Sequence, residues 1–435
     1  MKILFFTHYF PPEVNAPATR TFEHCRLWAA AGHDVTVVTC APNCPDGVVY
    51  EGYRNALWPQ YEEVDGIRVV RVWTLLAANA GTLRRILNFL SYLCSAVFVS
   101  FRLSRPDVVI ATSPQFFCGW AGVFVSWIKR RPFVLEIRDI WPESIAAVGA
   151  LKSRPLLRFL EFLERRLYLA ADHIVAVGDG YRKKILEKAA VGDRVSVITN
   201  GVDPRRFVPG PPDARFLHIW DLEEKFVCSY IGTIGMAHGL EVVIDAADML
   251  RQNGRSDVCF LLVGDGARRA ELEQEVQQRG LQRQVIFAGR QPREEVPRIL
   301  ASSNACLIHL KECDLFETVI PSKIFETMAM GRPIIMGVKG QAREIVLEAD
   351  AGLAMQPGSA QALVKCVEQI SGDPELAQQL GHAARAFVTE HYSRPQLASR
   401  FLRQLHAVTG IEEKVSVEEI PTAAPTPVQT SATHV

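Results

Sequence analysis

The 435-residue chain carries no net charge, its 48 Lys and Arg being balanced by 48 Asp and Glu. A long-range field that gathers nucleic acid or anionic lipid over the whole surface is therefore excluded, and any contact of that kind has to be local. The ten cysteines include no pair at two-residue spacing, Cys40 and Cys44 being the nearest neighbours. Reduced thiols in a cytosolic protein are expected, and no His, Cys and Asp cluster has metal-ligand spacing. A secretory signal is not expected either, because Ile3-Leu4-Phe5-Phe6 runs at once into Thr7, His8 and Pro11-Pro12 and reads as a first strand. The apolar segment from Leu83 to Leu103 has an uncharged centre of about sixteen residues, short of the eighteen or more a spanning helix needs. No repeat shorter than two similar halves is found.

What the chain does have is apolar bulk, 48% of its residues, enough for large cores in two or three domains. Ile3–Thr7 reads as a strand, Thr19–Ala31 as a helix stopped by Gly32, and Val35–Thr39 as the next strand, which makes a βαβ unit. In such units ligands collect at the carboxyl ends of the parallel strands. The loop Pro11–Ala18, with Asn15 and Ala16, is thus a site candidate, and Arg20 adds a positive charge beside it. Val48–Tyr61 is irregular. Strands then recur at Val69–Trp73, Val108–Thr112, Phe133–Ile137, His173–Val177 and Val195–Thr199, with helices to about Lys129 and over Pro155–Ala170. The strand at 133 delivers Arg138, Asp139 and Glu143 to the same edge, either as site groups or as a braced, solvated loop.

Prolines 204, 209, 211 and 212 behind Asn200-Gly201-Val202-Asp203 mark a boundary. The alternation restarts with the strand Phe226–Ile231 and the turn Gly232-Thr233-Ile234-Gly235 before a helix over Leu240–Leu250. Strands at Cys259–Val263 and Val285–Ala288 end at Gly264-Asp265-Gly266 and at Gly289-Arg290. The predicted architecture is α/β, two Rossmann-like doubly wound domains facing a central cleft. An N-terminal domain spans 1–200 and a C-terminal domain 201–394, with a helical run over Gly358–His391. A last helix, 395–408, packs back onto the first domain, and a disordered tail covers 412–435.

The chain is organised around Asn304–Pro333. There the apolar strand Ala305–Leu310 leads through a loop into Pro321-Ser322-Lys323-Ile324-Phe325-Glu326 and a helix closed by Gly331 and Pro333. Lys323 in the first turn suits a phosphate, and Glu326, three residues on, shares its helix face and suits hydroxyls. A sugar nucleotide presents both groups at that separation; an ordinary Lys–Glu helix pair is the competing reading of the hexapeptide alone. The glycine-rich turn at 232–235 lets backbone amides meet the same pyrophosphate. In Leu83–Leu103, Arg84, Asn88, Ser91, Ser95 and Arg102 form one stripe. The segment fits a helix under a sheet, and also an interfacial helix with Arg84, Arg85, Arg102 and Arg105 at headgroups and a patch of Phe89, Leu93 and Phe98 facing a membrane.

These residues resemble a family. Tyr9-Phe10-Pro11-Pro12-Glu13, Gly32-His33-Asp34-Val35, Arg138-Asp139-Ile140-Trp141-Pro142-Glu143-Ser144, Asn200-Gly201-Val202-Asp203 and Pro321–Glu326 through Gly331-Arg332-Pro333 are similar to motifs of the retaining GT-B glycosyltransferases of family 4. Within it the likeness is to bacterial O-antigen and capsule transferases of the L-fucosamine type. The resemblance covers Met1 to about Val408. It implies a UDP-sugar donor, such as UDP-N-acetyl-L-fucosamine or a related amino or deoxy sugar, and a lipid-carrier-linked saccharide acceptor. It implies no cofactor and no metal, no nucleic-acid partner, and a cytoplasmic protein that can be peripheral on the inner membrane. Donor-binding positions carried over are Gly232, Thr233, Gly235, Arg290, Ser322, Lys323, Glu326, Asn15 and Ala16. Asp139, Lys323 and Arg138 are the catalytic candidates, and Arg20 and Glu143 lie on the acceptor side. Three departures stand out: Thr233 and His238 replace the usual Arg and Lys of the phosphate turn, Thr318 beside Glu317 stands where the first of two glutamates belongs, and Arg138 replaces a histidine. A nucleotide-sugar 2-epimerase and a non-catalytic nucleotide-sugar-binding protein share the architecture and remain open.

Overall fold

A computed structural model describes residues 1–13, 15–44, 46–77, 82–113, 115–143 and 153–412, with the backbone alone for Thr82, Leu83, Asp314 and Leu315. The short apolar runs become two separate sheets. The first contains β1 (Lys2–Phe6), β2 (Asp34–Cys40), β3 (Gln60–Val64), β4 (Ile67–Val72), β5 (Val108–Thr112), β6 (Phe133–Ile137), β7 (His173–Ala176) and β8 (Val195–Val197) in the order β3-β4-β2-β1-β5-β6-β7-β8. The second contains β9 (Phe226–Ile231), β10 (Val258–Val263), β11 (Val285–Gly289), β12 (Ala305–His309), β13 (Ile334–Gly337) and β14 (Gly352–Ala354) in the order β11-β10-β9-β12-β13-β14, parallel throughout. Continuous Val, Ile and Leu suit these strands because helices cover both faces. Strand order reverses between β1 and β5 and between β9 and β12, and each reversal opens a crevice at the carboxyl edge.

Three elements differ from the sequence expectation. The antiparallel edge strand β3 follows from a two-residue turn, Asp65-Gly66, with φ of 48° and 76°; positive φ at both positions gives the twist a hairpin needs. The first helix runs Ala16–Ala30 rather than starting at Thr19, because the Asn15 side chain accepts the Ala18 amide (2.9 Å) and Pro17 sits in the first turn. The run after Gly358 is two helices, Ala360–Gly372 and Pro374–His391, divided where Asp373 caps the second by accepting the Leu376 amide and Pro374 cannot extend the first.

Helix Thr82–Ser100 also corrects the membrane-facing patch named above. Phe89 is buried and Leu93 packs against the core, leaving Phe98 exposed. Its polar stripe turns partly inward: Asn88 Nδ2 donates to the Leu75 carbonyl (2.7 Å) and Ser91 Oγ accepts the Leu75 amide (2.8 Å). The C-terminal tail lies outside the described residues.

The last helix, Arg394–Thr409, leaves the second sheet's half and packs on the first. Leu397, Ala398, Phe401, Leu402 and Leu405 join Ile3, Phe5, Trp28 and Val37 in one buried core, and the Trp28 indole donates to the Ala398 carbonyl (3.0 Å). The chain thus crosses between the halves twice, side by side, with Val202 bridged to Ser393 and Gly201 so close to Tyr392 that a Cβ would stand 2.2 Å from its carbonyl oxygen. Phe401→Ala should remove about 3–5 kcal/mol from the N-terminal half, read as a lower urea midpoint; an unchanged midpoint would show that the last helix contributes nothing to that core.

Candidate active site

The helix carrying Lys323 is two turns long, Lys323–Ala329, and buries Ile324, Phe325, Met328 and Ala329. That packing leaves Lys323 and Glu326 on the open side. Lys323 Nζ lies 3.8 Å from the centre of the Tyr230 ring and 2.7 Å from the point where a Gly232 side chain would begin. Gly232 holds φ at 147°, a conformation that favours glycine. The lysine of one crevice wall and the glycine turn of the other therefore meet. Burial pulls the Lys323 ammonium down to about 7, with Glu326 opposing the shift. A cation stacked on an aromatic face with few other partners is poised to be recharged by an incoming anion.

Two loops pack backbone to backbone beneath it. A Cβ on Gly264 would stand 1.8 Å from the Gly232 carbonyl oxygen, and one on Gly266 2.4 Å from that of Ile234. The Gly232 amide donates to Val263 (2.8 Å) and the Ile234 amide to Asp265 (2.9 Å). The predicted row of bare amides is therefore only half bare, and among the described residues the Thr233 and Gly235 amides are those without a backbone acceptor. Burial, with Lys323 nearby, lowers the His238 ring to about 4, so it is neutral at pH 7. His309 fixes the turn: its Nδ1 donates to the His238 carbonyl (2.7 Å) while Nε2 accepts the Gly358 amide (2.9 Å), which settles its tautomer. Thr233 and Arg290 are exposed at the crevice edge, and Ser322 Oγ accepts from Asn200 Nδ2 (3.3 Å) across the halves.

On the N-terminal wall the charges are mostly engaged. Arg20, expected on the acceptor side, is buried; its guanidinium pairs with Glu136 (2.8 Å) and donates to the Ile198 carbonyl (2.7 Å), the Thr199 carbonyl and Asn200 Oδ1 (3.2 Å). It ties β6 to the crossing strand, and its charge is neutralised internally. Burial pushes the Glu136 carboxyl up, but Arg20, Arg138 and Thr112 together hold it below its ordinary range. Arg138 donates to the carbonyls of Pro17 and Ala16, each at 3.0 Å, so it holds the Ala16 loop; burial lowers it to about 10, still charged at neutral pH. The side chain of Asn15 is a helix cap, leaving only its backbone for a ligand. Glu143 sits between Lys184 and Lys188, 2.8 Å from each, and Lys188 also holds buried Glu164. Asp139 borders a small cavity with Gln115, Trp141 and Tyr168.

Between the halves lies a cavity of about 140 Å³ lined by Arg20, Asn200, Arg293, Ser322, Glu326 and Arg394. Arg293 spans it, donating to Thr19 Oγ1 (2.6 Å). Thr318 packs on Gly180 of the N-terminal half and Glu317 is exposed. Sequence reasoning missed Tyr230 and Arg293. Strand alternation carried a signal for the first, since residues two apart share a face and Gly232 follows Tyr230 by two; the polar run around Arg293 carried none. Among the described residues no group of three or more His, Cys, Asp or Glu could hold a metal ion.

Glu136→Gln strands the Arg20 charge and should cost about 3–5 kcal/mol. Because the carboxyl is held low, its stabilisation is complete above the ordinary carboxylate value of 4.5 and fades as pH falls through the folded value. Wild-type stability should therefore drop more steeply below that pH than the variant's in acid titrations; parallel curves would remove the ion pair's role.

Residues 15–201 match the Glycosyl transferase 4-like domain and residues 215–387 match Glycosyl transferases group 1. The chain is 28% identical over 380 residues to the putative colanic acid biosynthesis glycosyl transferase WcaI of Escherichia coli K12, covering 85% of this chain and 92% of that protein. It is 26% identical over 428 residues to the amylovoran biosynthesis glycosyltransferase AmsK of Erwinia amylovora, covering 92% and 98%. Among solved structures, Anabaena Alr3699/HepE in complex with UDP superposes with a TM-score of 0.68 at 18% identity over 94% of this chain and all of that one. Sucrose-phosphate synthase from Thermosynechococcus elongatus gives 0.72 at 18% identity, over 93% and 99%. Both show the shared two-domain GT-B fold.

Proposed function

The chain belongs to the group 1 glycosyltransferases with a 4-like N-terminal half, and from that premise we propose that it transfers a hexosyl unit from a UDP-sugar to a lipid-carrier-linked saccharide in surface polysaccharide biosynthesis. The single observation that carries this reading is Lys323, stacked on Tyr230 against Gly232 at the strand-order reversal, with Glu326 one turn further on. The lysine would meet the diphosphate, and Glu326 the ribose hydroxyls. UDP as the nucleotide is supported by its presence in the HepE structure, and polymer synthesis by the names of the colanic acid and amylovoran relatives. An amino or deoxy hexose such as N-acetyl-L-fucosamine is the donor sugar the motif likeness favours.

The difficult step is departure of UDP, whose growing negative charge calls for donors already in place. Lys323 and the Thr233 and Gly235 amides supply them. With the anomeric configuration retained, the leaving phosphate takes the proton of the attacking hydroxyl, so no separate base is needed. Asp139 orients the sugar or the acceptor, and Arg138 sets the Ala16 loop that closes over them. The acceptor's lipid places the reaction at the cytoplasmic face of the inner membrane, with the protein peripheral; among the described residues no helix is long and apolar enough to cross a bilayer.

Incubation with UDP-sugars, with and without a lipid-linked saccharide, should release UDP only when both are present; an epimerised donor without acceptor, or binding without turnover, would overturn the proposal. Lys323→Ala should lower kcat by about 10²–10³-fold, and near-normal turnover would remove its assigned role. Binding of UDP should also charge the lysine. Affinity is then expected to weaken by up to about tenfold per unit as pH rises above 7, where the free lysine loses its proton, and to stay flat in that range for Lys323→Arg. Calorimetry in buffers of different ionisation enthalpy would show the proton uptake, and its absence in the wild type would contradict the coupling.

A further inference from the structure

Three helices, Thr82–Ser100, Phe116–Lys129 and Arg154–Ala170, lie side by side on one face of the first sheet, the middle one over β5 and β6 and the first reaching β2 and β4. Their inner sides are core: Tyr92, Ala96, Val125, Leu160 and Leu167 are buried together. Gly119 and Gly122 let the middle helix sink onto the sheet, since a Cβ on Gly122 would stand 2.4 Å from the Phe133 ring. Their outer sides carry exposed aromatics as well. Phe98 is 60% exposed, Phe101 just past the end of its helix 63%, Trp127 61%, Phe159 55% and Phe162 57%, and Phe159 and Phe162 stand at the three-residue spacing of one helix face. A single exposed aromatic needs no explanation, but a layer of them across three neighbouring helices does.

The charge around this layer is segregated. Residues 84–131 contain seven Lys and Arg against one acid, Asp107, which caps the Lys2 amide; residues 154–166 add four arginines against Glu161 and the buried Glu164. In a chain of zero net charge this is a strong local excess. Among the described residues none of these eleven basic side chains has a carboxylate in ion-pair range; Arg105 and Lys129 bond to backbone carbonyls instead, and Arg102 lies over the rings of Trp58 (5.4 Å) and Phe98 (5.2 Å). Surface arginines left without counter-charges around exposed aromatics fit an occupant that is apolar in its middle and anionic at its edge. A second copy of the chain fits poorly, because a two-fold contact sets the same basic patch against itself.

We propose that the outer face of this three-helix layer docks on an anionic lipid bilayer, with Phe98, Phe101, Trp127, Phe159 and Phe162 entering the boundary between headgroups and acyl chains and the arginines meeting lipid phosphates. The inference supplies the surface for a peripheral protein and does not depend on the transfer reaction. It extends well beyond helix Thr82–Ser100, since most of the exposed aromatic area of the other two helices lies at Trp127, Phe159 and Phe162.

The test is flotation of the full chain with vesicles of phosphatidylcholine alone and of phosphatidylcholine with phosphatidylglycerol. Wild type should float with the anionic vesicles only and be released as salt shortens the screening length from about 10 Å to about 3 Å. The triple change Trp127→Ser, Phe159→Ser, Phe162→Ser and, separately, Arg158→Glu with Arg165→Glu should each lower the bound fraction at least about tenfold. Exposed positions leave the fold intact, which a thermal melt and UDP binding at wild-type level would verify. Failure of the wild type to float, equal flotation with neutral vesicles, or undiminished flotation of both variants would overturn the proposal. So would a concentration-dependent dimer that either variant dissociates, because the face would then belong to a second copy. UDP binding by the wild type, measured alongside, reports on the donor site alone.

Discussion

The site depends on one close approach, the Lys323 ammonium against the Tyr230 ring in space that Gly232 leaves empty. Any side chain at 232 would occupy that space, and any shift of the short helix would take Lys323 out of the crevice. The surrounding structure resists both. Ile324, Phe325 and Met328 anchor the helix in the core beneath, while Gly264 and Gly266 bring a second loop into backbone contact with the turn, so that neither loop can move independently. A lysine held this way carries a desolvation penalty while the site is empty, and an anion relieves it.

The same economy of charge appears across the cleft. Arg20 and Arg138 both sit at the carboxyl edge of the first sheet, yet their hydrogen bonds go to the chain itself: one fastens the crossing strand at 198–200, the other the loop at Ala16 and Pro17. Both brace the N-terminal wall itself. Side-chain hydrogen bonds across the gap include Arg293 with Thr19, Asn200 with Ser322 and Gln341 with Asp179, while the covalent crossings are braced by Gly201 and the last helix. Small polar contacts between domains leave relative motion as the default, so closure on a donor would rotate two firm halves about paired strands.

Much of this was legible in the sequence because it rests on short-range chemistry. Apolar runs of five or six residues gave the parallel strands, and the glycines after β9, β10 and β11 gave the edge at which a site forms. The pairing of Gly232 with Lys323 followed from placing the glycine turn after one strand and the Lys323 helix start after another at the same edge of a doubly wound sheet. What could not be read were long-range partners. Nothing near Arg20 announces Glu136, 116 residues away, and so a structural brace read as a free charge. Asn15 read as a ligand contact because its capping geometry depends on a helix start that Pro17 sets. The outward aromatics of helices Phe116–Lys129 and Arg154–Ala170 were hidden for another reason: the first helix is apolar nearly all round, and in the second Phe159 and Phe162 stand among the charged residues of the outer side.

The most direct test of the central claim is a structure of the protein with UDP bound. The account predicts the distal phosphate within about 4 Å of Lys323 Nζ, on the Gly232–Gly235 turn, with the ribose toward Glu326. A diphosphate lodged elsewhere, with Lys323 still resting on Tyr230, would contradict it.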